Sequence, residues 1–234
     1  MAKEPRRSSR RATASAAPPE TPPRERIIDA MMALLAERSY GRIGLGDIAD
    51  TAGVSLATLR ESFAGKLGIV AAFMRRIDLA VLAGGPPDME TGPRDRLFEA
   101  EMRRLDALTP YKDGVRGLAA SARCDPGLAC ALHRLAARSQ KWTLVAAGID
   151  HGGILGRLGV EGAVMIHAET MRAWLDDDDP DHARTMAALD RSLRRGERAM
   201  RFLGDVCAVV PRFAACGRRV RDTGRAARTA GGSA

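Results

Sequence analysis

The chain has 234 residues, enough for one core or two small ones, with 4% aromatic residues against abundant Ala, Leu, Arg and Met. That mix, with no run of alternating β-branched residues, excludes a β-rich fold and predicts an all-α one. The net charge of +8 is placed at the ends: residues 1–22 hold five Lys/Arg and two acids, residues 211–234 six Arg and one acid, and residues 23–210 balance.

In chain order, residues 1–22 are rich in Arg, Ser, Ala and Pro and read as a disordered basic arm. A first helix is predicted from Arg24 to Arg38, because Ile27, Ile28, Met31, Leu34 and Leu35 recur at helical spacing. Tyr40-Gly41 turns the chain. Ile48, Ala49 and Ala52 share one face of a short second helix, and Gly53 supplies the positive φ that ends it. Val54 plugs the turn. Ser55 caps a third helix by accepting its free N–H groups, and Leu56 and Leu59 are expected to bury that helix's inner face. A fourth helix follows from about Lys66 to Leu82. Gly84-Gly85-Pro86-Pro87 opens a linker over 84–92, the expected boundary between a domain of residues 23–83 and one of 93–210.

Beyond the linker, helices are predicted over about 93–108, 112–123 and 126–147, each restarted by Pro93, Pro110 or Pro126. Residues 148–159 are glycine-rich. A glycine inside a helix costs about 1 kcal/mol relative to alanine, so a loop is expected there and a helix only from about Val160 to Leu175. Asp176–Asp179 and Pro180 break the chain in a solvated loop whose acids lie near the next helix's positive end. A last helix covers about His182 to Val210. Its Met186, Leu189, Leu193, Gly196, Met200 and Leu203 alternate spacings of three and four, a helix–helix seam. Residues 211–234 form a basic tail; basic ends either attract a polyanion, DNA or acidic lipid, or act as solubilising disordered segments.

Catalytic patterns are absent: no GxSxG, P-loop or GxGxxG, and no Cys/His pair that suggests a nucleophile. No enzyme activity, cofactor or metal is expected. The four histidines have no ligand spacing. Cys124, Cys130, Cys207 and Cys216 have neither CxxC nor zinc-like spacing and read as reduced thiols of a cytoplasmic chain. No run approaches the roughly 20 apolar residues of a spanning helix.

The segment from Ile27 to Ala83 resembles the DNA-binding domain of the TetR family of bacterial regulators. The pieces that carry the likeness are Gly41, Ile48-Ala49, Ala52-Gly53-Val54-Ser55, Thr58-Leu59, Phe63 and Lys66, in the family's order and without a gap. Gly44, Arg60 and Ser62 stand where the family usually has a threonine cap, a tyrosine and an aromatic or histidine. The resemblance implies a helix-turn-helix that enters a DNA major groove, and a larger carboxy-terminal helical domain for effector binding and dimerisation. It also implies a ligand-responsive regulator, a repressor by expectation, that binds operator DNA as a homodimer. The expected DNA contacts are Arg42, Ser55, Leu56, Ala57, Thr58, Arg60 and Lys66, the last at a phosphate. For a small apolar effector or lipid, Arg138, Lys141, Trp142, Met165, Met171 and Trp174 are the candidate residues. The dimer is expected through the last two helices, with Ile166, Met186, Leu189, Leu193 and Met200 between subunits.

A second, looser resemblance spans about 95–200. Arg94-Asp95-Arg96-Leu97-Phe98, Arg103-Arg104-Leu105-Asp106-Ala107-Leu108, and Trp174-Leu175 through Arg191 are similar to the TetR-like lipid-binding accessory proteins of ubiquinone biosynthesis. It implies an alternative: a lipid carrier that does not bind DNA and touches membrane through the carboxy-terminal basic segment. An adaptor that binds only protein is the third class.

Overall fold

The computed structural model describes residues 21–149 and 152–201. The tail expected at 211–234, and nearly all of the arm expected at 1–22, lie outside the described residues, as do Cys207 and Cys216. Among the described residues there are helices and 3-10 turns but no strand.

Helix α1 (Pro23–Glu37) starts with proline at its first turn, where the missing N–H is no loss. Its Ile27, Ile28, Met31, Leu34 and Leu35 are buried. A 3-10 turn (Tyr40–Arg42) leads to α2 (Leu45–Ala52), α3 (Leu56–Ser62) and α4 (Lys66–Leu82). After the 83–92 connection come α5 (Pro93–Leu108), a 3-10 turn (Thr109–Tyr111), α6 (Lys112–Cys124) and α7 (Pro126–Ala146). Helix α8 is Gly153–Leu175, and α9 runs from residue 183 to the last described residue, 201. Asp125 caps α7 by accepting the Leu128 N–H at 3.0 Å.

Two expectations fail here. The loop predicted through residue 159 is helical from Gly153 onward. Helix α8 packs along α7 and buries Ala163, Val164 and Trp174, and this tertiary packing outweighs the helix-propensity cost of its glycines. The acidic run is also not wholly solvated. Asp177 is 1% exposed, and its Oδ2 accepts the Thr185 N–H at 2.9 Å and the Thr185 hydroxyl at 2.7 Å. It is the tether at the start of α9.

The main core does not stop at the 84–92 connection. Ile27, Met31, Ile48, Ile69 and Phe73 of the first four helices share one apolar cluster with Leu105, Leu108, Val115, Leu118, Leu128 and Trp174. Helix α6 lies directly on α1. A Cβ at Gly114 would sit 2.4 Å from the Met32 carbonyl oxygen, and one at Gly117 1.8 Å from that of Leu35. Only glycine allows this approach. A second cluster joins Val81, Leu97, Ala100, Ala146, Ala147, Leu189 and Leu193.

Between these clusters lies a buried polar network. Arg104 of α5 donates to Asp78 of α4 (2.8 Å), Ser139 (2.8 Å) and Thr143 (2.6 Å) of α7. One turn away on α5, the Glu101 carboxylate lies 2.8 Å from Nδ1 of His167 on α8. Burial pushes the Glu101 carboxyl up, but the charges of His167 and Arg104 and hydrogen bonds from His167 and Gln140 outweigh it and hold the group below its ordinary value.

Candidate nucleic-acid interface

The turn between α2 and α3 is built from two backbone devices. Gly53 sits at φ 62, ψ 41, a conformation that costs glycine no Cβ clash. Val54 N–H donates to Ala49 O (3.0 Å) and Gly53 N–H to Asp50 O (3.2 Å), the paired bonds of a Schellman stop. Two residues later the Ser55 hydroxyl accepts the Thr58 N–H at 3.0 Å and starts α3. Leu59 and Phe63 are buried against the core, which leaves Ser55, Leu56, Ala57, Arg60 and Glu61 exposed on the outer side. The inner position expected for Leu56 is not found; the residue is 59% exposed. It is the first residue of a seven-residue helix, at the rim of the face that Leu59 buries one turn later.

Two helices brace this outer side. Arg24 of α1 donates to Ser62 O at 2.8 Å, and its guanidinium lies 4.3 Å from the centre of the Phe63 ring. Lys66 at the start of α4 donates to both Tyr40 O and Ile43 O at 2.8 Å, with its ammonium 4.5 Å from the Tyr40 ring centre. Burial, then the Asp125 charge, raise the Tyr40 phenol above its ordinary value. Gly44 has no side chain to cap α2, but its N–H donates to Asp47 Oδ2 at 2.8 Å, half of a capping box. The Tyr40 N–H donates to Ser121 Oγ at 2.9 Å, which ties the turn before α2 to α6.

The seven residues expected at DNA are therefore in different situations. Ser55, Leu56, Ala57 and Arg60 line the exposed side of α3, and Thr58 is half-buried beside them. Arg42 is exposed on the turn that leads into α2. Lys66 has two of its three donors on backbone carbonyls, so it orders the scaffold first. Sequence reasoning missed Arg24 as the brace of α3, because no local pattern pairs Arg24 with a carbonyl 38 residues away.

The six effector candidates do not converge. Trp174 is fully buried, with its indole N–H unpartnered and Lys112 Nζ 5.4 Å from the ring centre. Met171 packs at the edge of the main core. Arg138, Lys141, Trp142 and Met165 are not buried; Trp142 and Met165 are well exposed. A hollow of about 450 Å3 opens between the end of α1 and α6, beside Arg38, Gly117, Ser121 and Cys124. Another of about 360 Å3 lies over Arg26, Asp29 and Thr51. None of the six lines either hollow. Of the expected dimer residues, Leu189 and Leu193 are 0% and 3% exposed, inside the subunit's own second cluster with Ile166 beside them. Met186 is exposed and Met200 half-buried.

A glycine-stopped helix, a serine-capped partner and an exposed outer side on a braced three-helix head define a helix-turn-helix on a helical body. Residues 27–73 match the family model of bacterial regulatory proteins, tetR family. Two solved structures share the fold. A TetR transcriptional regulator from Nitrosomonas europaea is 24% identical, with a TM-score of 0.59 over 76% of this chain and 99% of that one. A TetR transcriptional regulator from Rhodococcus sp. RHA1 is 17% identical, with a TM-score of 0.51 over 74% and 95%. No match was found among curated protein sequences. The amino-terminal segment is a TetR-type helix-turn-helix, and the chain has the all-α TetR fold. No helix among the described residues is long and apolar enough to cross a membrane.

Proposed function

We propose that the chain is a ligand-responsive transcriptional regulator that binds operator DNA as a homodimer and acts as a repressor. The observation that carries this reading is the outer side of α3, held clear of the core by the Gly53 stop, the Ser55 cap and the Arg24 brace. Two such helices, about 34–36 Å apart in a two-fold pair, would enter successive major grooves.

Helices α8 and α9 supply the pairing surface in this reading, but with other residues than the seam suggested. Leu158 and Met165 are 41% and 61% exposed on α8. A Cβ at Gly159 or Gly162 would meet nothing within 4 Å, so a second subunit can approach that side closely. Met186 of α9 is 36% exposed. Response to a ligand would reach the head along two physical links: Asp78–Arg104 from α4 to α5, and the Gly114/Gly117 seat of α6 on α1. A ligand that favours one arrangement of these links over the other shifts operator affinity by its differential affinity alone.

Selection of bound fragments from the source genome at physiological salt tests the reading. The expected product is a two-fold site with half-sites about 10–10.5 base pairs apart, centre to centre, or a multiple of that. Arg60→Ala should weaken it by about 1–3 kcal/mol if Arg60 reads a base. A monomer by analytical ultracentrifugation, or no fragment preference with or without ligand, would end this reading.

A further inference from the structure

We propose that Leu56 reads the C5-methyl group of a thymine in the major groove. The proposal rests on the operator-binding reading above and names the base feature that α3 recognises.

The hydroxyls of Ser55 and Thr58, at the start of α3, are paired with each other. Ser55 Oγ accepts the Thr58 N–H at 3.0 Å and also lies 3.0 Å from Thr58 Oγ1. Both hydroxyls are thus engaged in the first turn. Beside them, in the turn before the exposed Arg60 and Glu61, the outer side offers the isobutyl group of Leu56, 59% exposed, and the methyl of Ala57. Leu56 has no packing task on the inner side, which Leu59 and Phe63 fill at 2% and 5% exposure. An aliphatic side chain cannot hydrogen-bond a base edge, and in the major groove the apolar feature that separates one base pair from the rest is the thymine methyl.

Charge points the same way. Residues 23–83 hold eight Lys/Arg and seven Asp/Glu. Arg76 is paired with Glu25 and Asp29, Arg38 with Asp47, and the Lys66 ammonium is on two carbonyls. With Arg24 on the Ser62 carbonyl as well, four of these eight cations are engaged within the head, which reduces its attraction for phosphate, and base contacts carry the discrimination.

The experiment uses the full chain and its selected operator, with each thymine replaced in turn by deoxyuridine, which removes only the C5-methyl. At one position per half-site, deoxyuridine should weaken the wild type about fourfold, and about 16-fold when both half-sites are changed. In Leu56→Ala, deoxyuridine at that position should have no further effect, while circular dichroism and dimerisation stay those of the wild type. Leu79→Ala, which truncates a leucine on α4 that is 56% exposed, should keep the wild-type sensitivity. If the wild type binds thymine and deoxyuridine sites alike, the proposal falls and the regulator reading stands. The proposal falls in the same way if Leu56→Ala remains sensitive at every position, or if Leu79→Ala also loses sensitivity. If no fragment is selected at all, both fall.

Discussion

Around Ile27, Met31 and Ile48 the head's core is apolar: among described residues 21–83, Asp78 alone is a buried polar or charged residue, and it faces Arg104 of the body. Around Arg104 the body buries Glu101, Ser139, Gln140 and Thr143 as well. The two regions touch through one continuous apolar cluster, yet they answer to different physics. An apolar core tolerates change in rough proportion to lost area and is indifferent to pH. A buried polar network stands or falls by whether every member has its partner. The head is suited to remain one rigid shape. The body holds several directional contacts in its core.

The largest effect is expected at Arg104→Ala, which leaves Asp78 buried without its cation. The cost should be about 3–5 kcal/mol in denaturant unfolding, and an apolar pair such as Arg104→Met with Asp78→Leu should restore most of it. A loss below about 1 kcal/mol would erase the contrast between the regions. Next comes the head: Ile48→Ala should cost about 2–5 kcal/mol, the same at about pH 5 and pH 7. At the seam between the regions, Gly117→Ala forces α6 off the Leu35 carbonyl. It should cost about 1–3 kcal/mol and increase hydrogen exchange in both α1 and α6. The smallest test is acid. Glu101 is held below its ordinary value, so its contribution is complete above the unfolded carboxylate range, near about 4.3. It is lost as pH falls through the lower folded value. The stability gap between wild type and Glu101→Gln should therefore shrink on acidification below about pH 4. A gap that widens instead would mean that His167 does not hold the carboxylate charged.

Much of the head is legible in the sequence because its rules are local. The spacing of Ile27, Met31 and Leu35, the stop at Gly53 and the cap at Ser55 act within one or two turns. Leu56 is not legible in this way, because a helix of seven residues is too short for periodicity to assign its first position. The helical state of Gly153 to Gly159 is hidden too, because propensity counts the chain's own cost and not the packing of the rest of α8 on α7. Leu189 and Leu193 do form a seam, but a heptad pattern is silent on whether its partner is another subunit or α5 and α7 of the same one.

What the amino-acid order determined by itself was the all-α class, the head's helices and the turn between α2 and α3, since hydrophobic period, glycine φ and side-chain caps are properties of neighbours in the chain. Tertiary structure decided which leucines face inward, that Lys66 serves the scaffold, that α6 rests on α1 through two glycines, and that Arg104 meets Asp78. Those contacts join residues 23 to 82 positions apart, and burial and pairing over such separations exist only once the helices have packed.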